Sequence, residues 1–383
     1  MRTASNRVDF VGEYLRRVFL DDMHAKRVLS LTIGALGVMT SASLAVGLIG
    51  QAVAQARGTL PKSGIKQVDR LLGNAAVSPW DLFPSWVGEA VGGRSEIVVA
   101  MDWTDFDADN QSTLALHLVT AHGRATPLIW LTVDKDELKN QRNGFEDACL
   151  NRLKETLPEG VKATILADRG FGDVKLFKFL ETLGFDYVIR FRGNVHVTAT
   201  DGETRLAADW VGKGGRARKL VDAEIAAARQ RVGAVVCVKA KGMKEAWHLA
   251  ASQAKLSAGQ IANLYAKRWT IEPSFRDIKD LRFGMGMSAL RIDDPQRRDR
   301  LFLLNALAIV LLTVMGAAGE SLGMDRQLRT STTRRRVHSL FRQGCLLYDL
   351  IPTMPEHRLR PLIEKYVEFL NQNRAFTQTF GII

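Results

Sequence analysis

The run EIVVAMDW at residues 96–103 decides the fold of this chain. Short apolar runs rich in β-branched residues predict buried strands. A second such run, KATILAD at residues 162–168, also ends in an aspartate. Because the ends of adjacent strands can converge at the carboxyl edge of a sheet, we expect Asp102 and Asp168 to approach each other there. Two convergent carboxylates suit a hard cation such as Mg²⁺ or Mn²⁺, although an aspartate that ends a strand is also a common turn residue.

The segments around these runs alternate between the two kinds of secondary structure. Strands are predicted for the remaining apolar runs, with a hairpin at His122-Gly123-Arg124, and helices for the segments between them. The order of strands and helices predicts a mixed α/β sheet with flanking helices. The strands are TLALHLVTAHG (113–123), ATPLIWLTVD (125–134) and FDYVIRF (185–191), and the helices are residues 144–157 and 174–183.

Three further regions complete the predicted organisation. Residues 1–92 are predicted to be a helical domain, with helical spacing over residues 7–26 and a linker at Pro79 and Pro84. Residues 93–319 form the α/β domain, in which short strand-like runs over residues 194–256 are a β-rich insertion. Residues 320–383 are predicted to be a helical C-terminal region.

Two long uncharged stretches raise the question of a membrane. Residues 28–56 contain the cluster Thr40-Ser41-Ala42-Ser43, which predicts a turn and helix N-cap that divide the stretch into two short helices. Residues 301–319 approach the ~20 residues that a membrane span needs. A buried core helix has the same composition, and we expect that outcome.

The composition favours a polyanionic partner. The 383 residues include 53 Lys and Arg against 41 Asp and Glu, a formal charge of +12. No single basic run explains this excess, so nucleic acid is the first candidate and an anionic membrane the second. Cys149, Cys237 and Cys345 are far apart and form no CxxC motif, which argues against a zinc ribbon and fits a reducing compartment. The N-terminal residues show no signal-peptide pattern.

A stripe of polar residues follows one face of a predicted helix near residue 270. Tyr265, Arg268, Glu272, Arg276 and Lys279 are spaced by three or four residues, within roughly an 80° arc. A solvated face with ion pairs explains such a stripe equally simply. Trp269 beside Arg268 suits base stacking, or alternatively a core position. Pro273 predicts a kink in this helix.

These motifs together resemble one family. The pattern Tyr265-x2-Arg268-x3-Glu272-x6-Lys279 resembles the Tyr-Arg-Glu-Lys signature of bacterial insertion-sequence transposases of the IS-four type. MDWTDF around Asp102 and LADRGFGD around Asp168 are similar to the segments that carry the first two catalytic aspartates of that group. IKQVDRLLGN at residues 65–74 resembles its N-terminal helix. The similarity extends over about residues 60–320.

The resemblance implies an RNase H-like catalytic fold with an Asp102, Asp168 and Glu272 triad that holds two divalent metal ions, Mg²⁺ or Mn²⁺. It implies cut-and-paste transposition, in which the ions activate a water or a DNA 3′-hydroxyl and stabilise the leaving oxygen. Double-stranded DNA is the implied partner, bound at the transposon ends by the N-terminal helices, and the C-terminal helices would form a homodimer.

The remaining site expectations concern DNA contacts. Arg268 and Lys279 are expected to hold phosphates, Tyr265 a terminal phosphate or sugar, and Trp269 a displaced base. Arg276, Lys213 and Arg216 are further candidates, although a solvated basic surface explains the last two equally well. The implied protein is a bacterial cytoplasmic enzyme associated with the nucleoid. The alternatives are an inactive DNA-binding descendant, an RNase H-like nuclease without strand transfer, and a membrane protein.

Overall fold

A mixed eight-stranded sheet forms the centre of the protein. The computed structural model describes residues 2–282, 284–330 and 332–372, with side chains from residue 10 onward. The first five strands have the order β3-β2-β1-β4-β5, in which β1 is antiparallel to β2 and parallel to β4. This is the mixed α/β arrangement predicted for an RNase H-like domain. The strands are β1 (Glu96–Phe106), β2 (Gln111–Leu118), β3 (Thr126–Asp134), β4 (Lys162–Ala167) and β5 (Asp186–Arg190).

The insertion is β-rich, as predicted, but it does more than interrupt the sheet. Three of its strands extend the central sheet in the order β5-β12-β11-β8, and every added pair is antiparallel. The other four form a small separate sheet, β10-β9-β6-β7. The strands are β6 (His196–Thr198), β7 (Thr204–Leu206), β8 (Arg218–Val221), β9 (Glu224–Ile225), β10 (Gln230–Arg231), β11 (Ala234–Val238) and β12 (Trp247–Ala251).

Five helices precede the sheet. The helical pattern of residues 7–26 is interrupted at residues 20–24 rather than continuous. Val11, Leu15 and Phe19 are buried along one face of the first helix, as an amphipathic helix requires. The helices are α1 (Arg2–Phe19), α2 (Ala25–Ser41), α3 (Val46–Arg57), α4 (Pro61–Leu72) and α5 (Pro79–Val91).

The prediction of a linker at Pro79 and Pro84 is wrong, because both lie within α5. Pro79 is the first helical residue, where a missing N–H costs nothing, and the Ser78 side chain caps the helix. Pro84 cannot donate to the carbonyl of Trp80, four residues earlier. The Arg152 guanidinium donates to that carbonyl instead, at 3.2 Å from Nε and 2.7 Å from Nη2. A distant side chain therefore compensates the proline.

The two uncharged stretches have the predicted outcomes. Residues 28–56 belong to α2 and α3, which meet at 103° across a turn at Ala42, whose φ is 48°. The N-cap of α3 is Ala45 rather than a residue of the Thr40–Ser43 cluster. The second stretch lies in α10 (Pro295–Ser321), which among the described residues is the one helix long and apolar enough to cross a membrane. Its apolar window is 100% buried within the protein, as in a core helix.

Helix α10 connects the sheet to the helical regions. It packs against β3 on one side and against α2 and two C-terminal helices on the other, α11 (Leu340–Leu350) and α12 (Glu356–Asn371). Helices α6 (Arg142–Thr156) and α7 (Val174–Leu183) flank the sheet as predicted, and Gly184 ends α7 with a φ of 71°. The boundaries of the three domains stay a prediction, and residues 373–383 of the C-terminal region lie outside the described residues.

Candidate active site at the carboxyl edge of the sheet

The first two acidic residues lie side by side. Met101 of β1 is in register with Ala167, the last residue of the parallel strand β4, so Asp102 and Asp168 each follow a paired residue. The Asp168 side chain accepts a hydrogen bond from the backbone N–H of Gly170 at 2.7 Å, which fixes the turn after β4. Asp102 accepts from the N–H of Trp103 at 2.9 Å. Local hydrogen bonds thus orient both carboxylates at one edge of the sheet.

Glu272 reaches this edge from a broken helix. Helix α8 (Ala258–Ala266) is followed by a 3₁₀ turn at Lys267–Thr270 and then by α9 (Ile271–Lys279). The break therefore precedes Pro273, where we predicted the kink. Pro273 is the third residue of α9, and backbone N–H groups in a first helical turn need no intrahelical acceptor.

Arg268 joins two of the acidic residues. Its guanidinium donates to Asp102 Oδ2 at 3.2 Å and to Glu272 Oε1 at 2.9 Å. The Arg268 side chain is only 7% exposed, whereas Glu272 is 45% exposed. The remaining Nε of Arg268 is buried without a partner among the described residues. The guanidinium is therefore the cation that balances this group of carboxylates.

The electrostatics of Asp102 show how strongly the acidic residues interact. Burial raises the pKa of Asp102 to about 6, and the carboxylates of Asp168 and Glu272 raise it further, while Arg268 opposes the increase. Asp102 is therefore about half protonated near pH 6. A further positive charge at this position would favour its ionised form.

The donor set fits a hard divalent cation in its chemistry, since three carboxylates supply only oxygen ligands. Their geometry is a separate matter. Within the described part of the chain, no group of three His, Cys, Asp or Glu side chains is close enough to hold a metal ion. Asp102 and Glu272 instead share Arg268. A cation bound by all three acidic residues therefore requires Arg268 to rotate away.

Two of the other predicted residues are more buried than a DNA contact suggests. Tyr265 is 2% exposed and packs edge-on against Trp247, with ring centroids 4.9 Å apart. The Lys279 ammonium donates to the Asp105 carbonyl at 2.6 Å and to Thr104 Oγ1 at 3.2 Å. Burial lowers the pKa of Lys279. These contacts tie α9 to β1 in the described structure.

The other predicted DNA contacts are exposed. Trp269 is 50% exposed, and the Arg268 guanidinium lies 5.3 Å from its ring centroid, so the alternative of a core tryptophan is wrong. Arg276 is exposed on α9. Lys213 and Arg216 are exposed on a loop before β8, some distance along the sheet from the carboxylates. The structure thus brings Arg268 and Trp269 to the acidic group, but not the loop residues.

Sequence analysis missed a polar cluster beside Asp102. The Trp103 indole donates to Glu146 Oε1 at 2.8 Å, and Arg142 donates to the same atom at 3.2 Å. The Arg142 guanidinium also lies 5.2 Å from the Trp103 ring centroid and 5.8 Å from that of Phe171. These residues hold the segments after Asp102 and Asp168 against α6. Nothing in the spacing of residues 103, 142 and 171 indicates this contact, because it depends on the sheet order.

Comparison with known families gives one match. Residues 93–311, more than half of the chain, match the family model for the transposase DDE domain. The matched segment contains the central sheet, the insertion and all three acidic residues. No curated protein matches the chain.

Proposed function

Since the chain belongs to the DDE transposase family, we propose that it cuts an insertion sequence at its terminal inverted repeats and joins it to target DNA. The observation that carries this proposal is the convergence of Asp102, Asp168 and Glu272 at one edge of the sheet. Each of the other two acidic residues raises the pKa of Asp102, so the three are close enough to act together. The finer assignment to the IS-four group rests on the Tyr-Arg-Glu-Lys spacing.

In the proposed mechanism the three acidic residues hold the divalent cations that DDE transposases generally use, with Mg²⁺ as the natural ion and Mn²⁺ as a substitute. When bound, such ions activate the attacking oxygen and stabilise the leaving oxygen in an in-line displacement. The protein supplies the ionised carboxylates, and Asp102 must lose its proton for this role. Arg268, released from Asp102 and Glu272, would be free to contact a DNA phosphate.

The DNA contacts follow from exposure and charge. Trp269 offers an exposed ring beside Arg268, which suits stacking on a displaced base. Arg276, Lys213 and Arg216 are exposed cations suited to phosphates. Lys279 and Tyr265 would contact DNA only after local rearrangement, since both are held within the protein.

The remaining parts of the proposal concern organisation. We propose that residues 1–92 bind the transposon ends and that residues 320–383 support a homodimer in the complex that pairs two ends. Residues 93–319 would form the catalytic domain between them. The proposed location is the bacterial cytoplasm, at the nucleoid, where double-stranded DNA is available.

The test is cleavage of the DNA that flanks the gene for this protein. Purified protein and the variant Glu272→Gln are incubated with a plasmid carrying both flanks, with Mg²⁺, with Mn²⁺ or with EDTA. We expect metal-dependent cleavage at the flank boundaries and joined products with wild type, and neither with the variant. Glu272 is 45% exposed, so its amide variant is expected to fold normally.

The other possible outcomes identify the alternatives. Specific binding of the flanks without cleavage would point to an inactive DNA-binding descendant. Cleavage without any joined product would point to an RNase H-like nuclease. Cleavage that persists in Glu272→Gln would contradict the proposed triad.

A further inference from the structure

The strand directions place two basic loops at the same edge of the sheet as the carboxylates. β5 is parallel to β4, so its carboxyl end lies at the catalytic edge. β12 is antiparallel to β5 and β11 is antiparallel to β12, so the hairpin at residues 239–246 that joins them returns to that edge. β8 is antiparallel to β11, with Arg218 opposite Cys237, so the loop before β8 also lies there.

These loops are joined to each other. The Lys239 N–H donates to the Gly215 carbonyl at 3.0 Å. A Cβ on Gly215, whose φ is 79°, would lie 2.0 Å from the Lys239 carbonyl oxygen, so only glycine permits this approach. We call residues 212–219 and 239–244 together the basic edge.

The basic edge carries unbalanced positive charge. It contains no Asp or Glu, and its exposed cations form no ion pair within the described part of the chain. Arg218 is also exposed, and its guanidinium lies 4.6 Å from the Trp210 ring centroid. The exposed cations without an ion pair are Lys213, Arg216, Lys239, Lys241 and Lys244.

An ion-pair network connects the basic edge to the candidate active site. Glu245 directly follows the basic edge and accepts from Arg190 at 2.7 Å and from Arg169 at 3.1 Å. Arg169 is the residue after Asp168, and Arg190 ends β5. The one acidic residue beside the basic edge is therefore neutralised, and its partners fix the hairpin next to the Asp168 turn.

We propose that the basic edge binds the phosphate backbone of duplex DNA on one side of the bond that is cut. This inference rests on the proposed function. The basic loops lie two to four strands from β4, and adjacent strands are about 4.8 Å apart, which gives roughly 10–19 Å. DNA rises about 3.4 Å per base pair, so the contacts fall about three to six base pairs from the phosphate at the carboxylates.

The test compares two double variants of the full chain. Lys241→Ala with Lys244→Ala removes two cations from the basic edge. Lys162→Ala with Lys255→Ala removes two exposed lysines at the opposite edge, where β4 begins and β12 ends. Binding to duplexes made from the cleaved flank is measured by fluorescence anisotropy over a series of KCl concentrations.

We expect the basic-edge variant to lower the slope of log K against log salt by about 1 for each lysine, and the control variant to leave it unchanged. Shortening the duplex to two base pairs on one side of the cut should lower the wild-type slope and have little further effect on the basic-edge variant. Circular dichroism of both variants verifies folding.

An unchanged slope in the basic-edge variant would overturn the inference. Equal sensitivity of wild type and this variant to shortening would do the same, because the lost contacts would then lie elsewhere. In both cases cleavage by wild type would leave the proposed function intact. A wild-type protein that neither cleaves nor binds its flanks would instead refute the proposed function, and the inference with it.

Discussion

Replacement of Arg268 by methionine tests whether its charge holds the acidic group together. Methionine retains an apolar stem of similar length but cannot donate hydrogen bonds. In the variant Asp102 faces the carboxylates of Asp168 and Glu272 without the guanidinium that now lies 3.2 Å from its Oδ2. We therefore expect the pKa of Asp102 to rise above its present value of about 6.

The magnitude follows from the burial of each partner. Removing one partner of a buried ion pair costs about 3–5 kcal/mol, and the Asp102 side chain is 22% exposed, so somewhat less applies here. Glu272 is 45% exposed, and solvent screening limits its contribution to at most about 1 kcal/mol. We expect a total destabilisation of about 2–4 kcal/mol at pH 8.

The sign of the pH dependence is specific to a raised carboxyl pKa. In wild type, the stability associated with protonated Asp102 is present below about pH 4 and is lost as the pH rises to about 6. In Arg268→Met this loss continues to higher pH. The difference between the two proteins is therefore small at pH 4.5, about 1 kcal/mol, and grows towards pH 8.

The assay is urea unfolding with EDTA between pH 4.5 and pH 8.5, with Glu272→Gln as the control. That control removes the exposed partner only and should lower stability by less than about 1 kcal/mol. A destabilisation by Arg268→Met that is the same at every pH would refute the reasoning, because it would show a loss of packing rather than of charge.

Three further results are expected. Burial raises the pKa of Asp299 to about 8, so wild-type stability should fall by about 2–4 kcal/mol from pH 5 to pH 8, and Asp299→Asn should abolish this fall in urea unfolding. A Cβ on Gly344 would lie 1.7 Å from the Leu312 carbonyl oxygen, so Gly344→Ala should lower the unfolding midpoint, whereas Gly88→Ala, with open space around it, should be neutral or stabilise by up to about 1 kcal/mol. Trp269→Ala should leave stability unchanged, since this side chain is 50% exposed, but weaken binding to flank DNA in anisotropy measurements; equal loss of stability and binding would contradict the exposed position.

Sequence alone determined the strands, their order and the approach of Asp102 to Asp168. These features depend on local patterns, since an apolar β-branched run forms a buried strand wherever the chain places it. The register that aligns Met101 with Ala167 then follows from two parallel strands that end in aspartates. Periodicity also correctly indicated that the apolar stretch at residues 301–319 is a core helix rather than evidence for a membrane span.

Only the tertiary structure decided the features that depend on distant contacts. Arg268 donates to Asp102, 166 positions away in the chain, and no spacing rule gives that pair. Pro84 stays within a helix because Arg152 takes the carbonyl that the proline cannot bond. The basic edge exists because antiparallel pairing returns the β11–β12 hairpin to the catalytic edge. Each outcome was set by hydrogen bonds that distant residues make only once the sheet has formed, so local propensity carries no record of them.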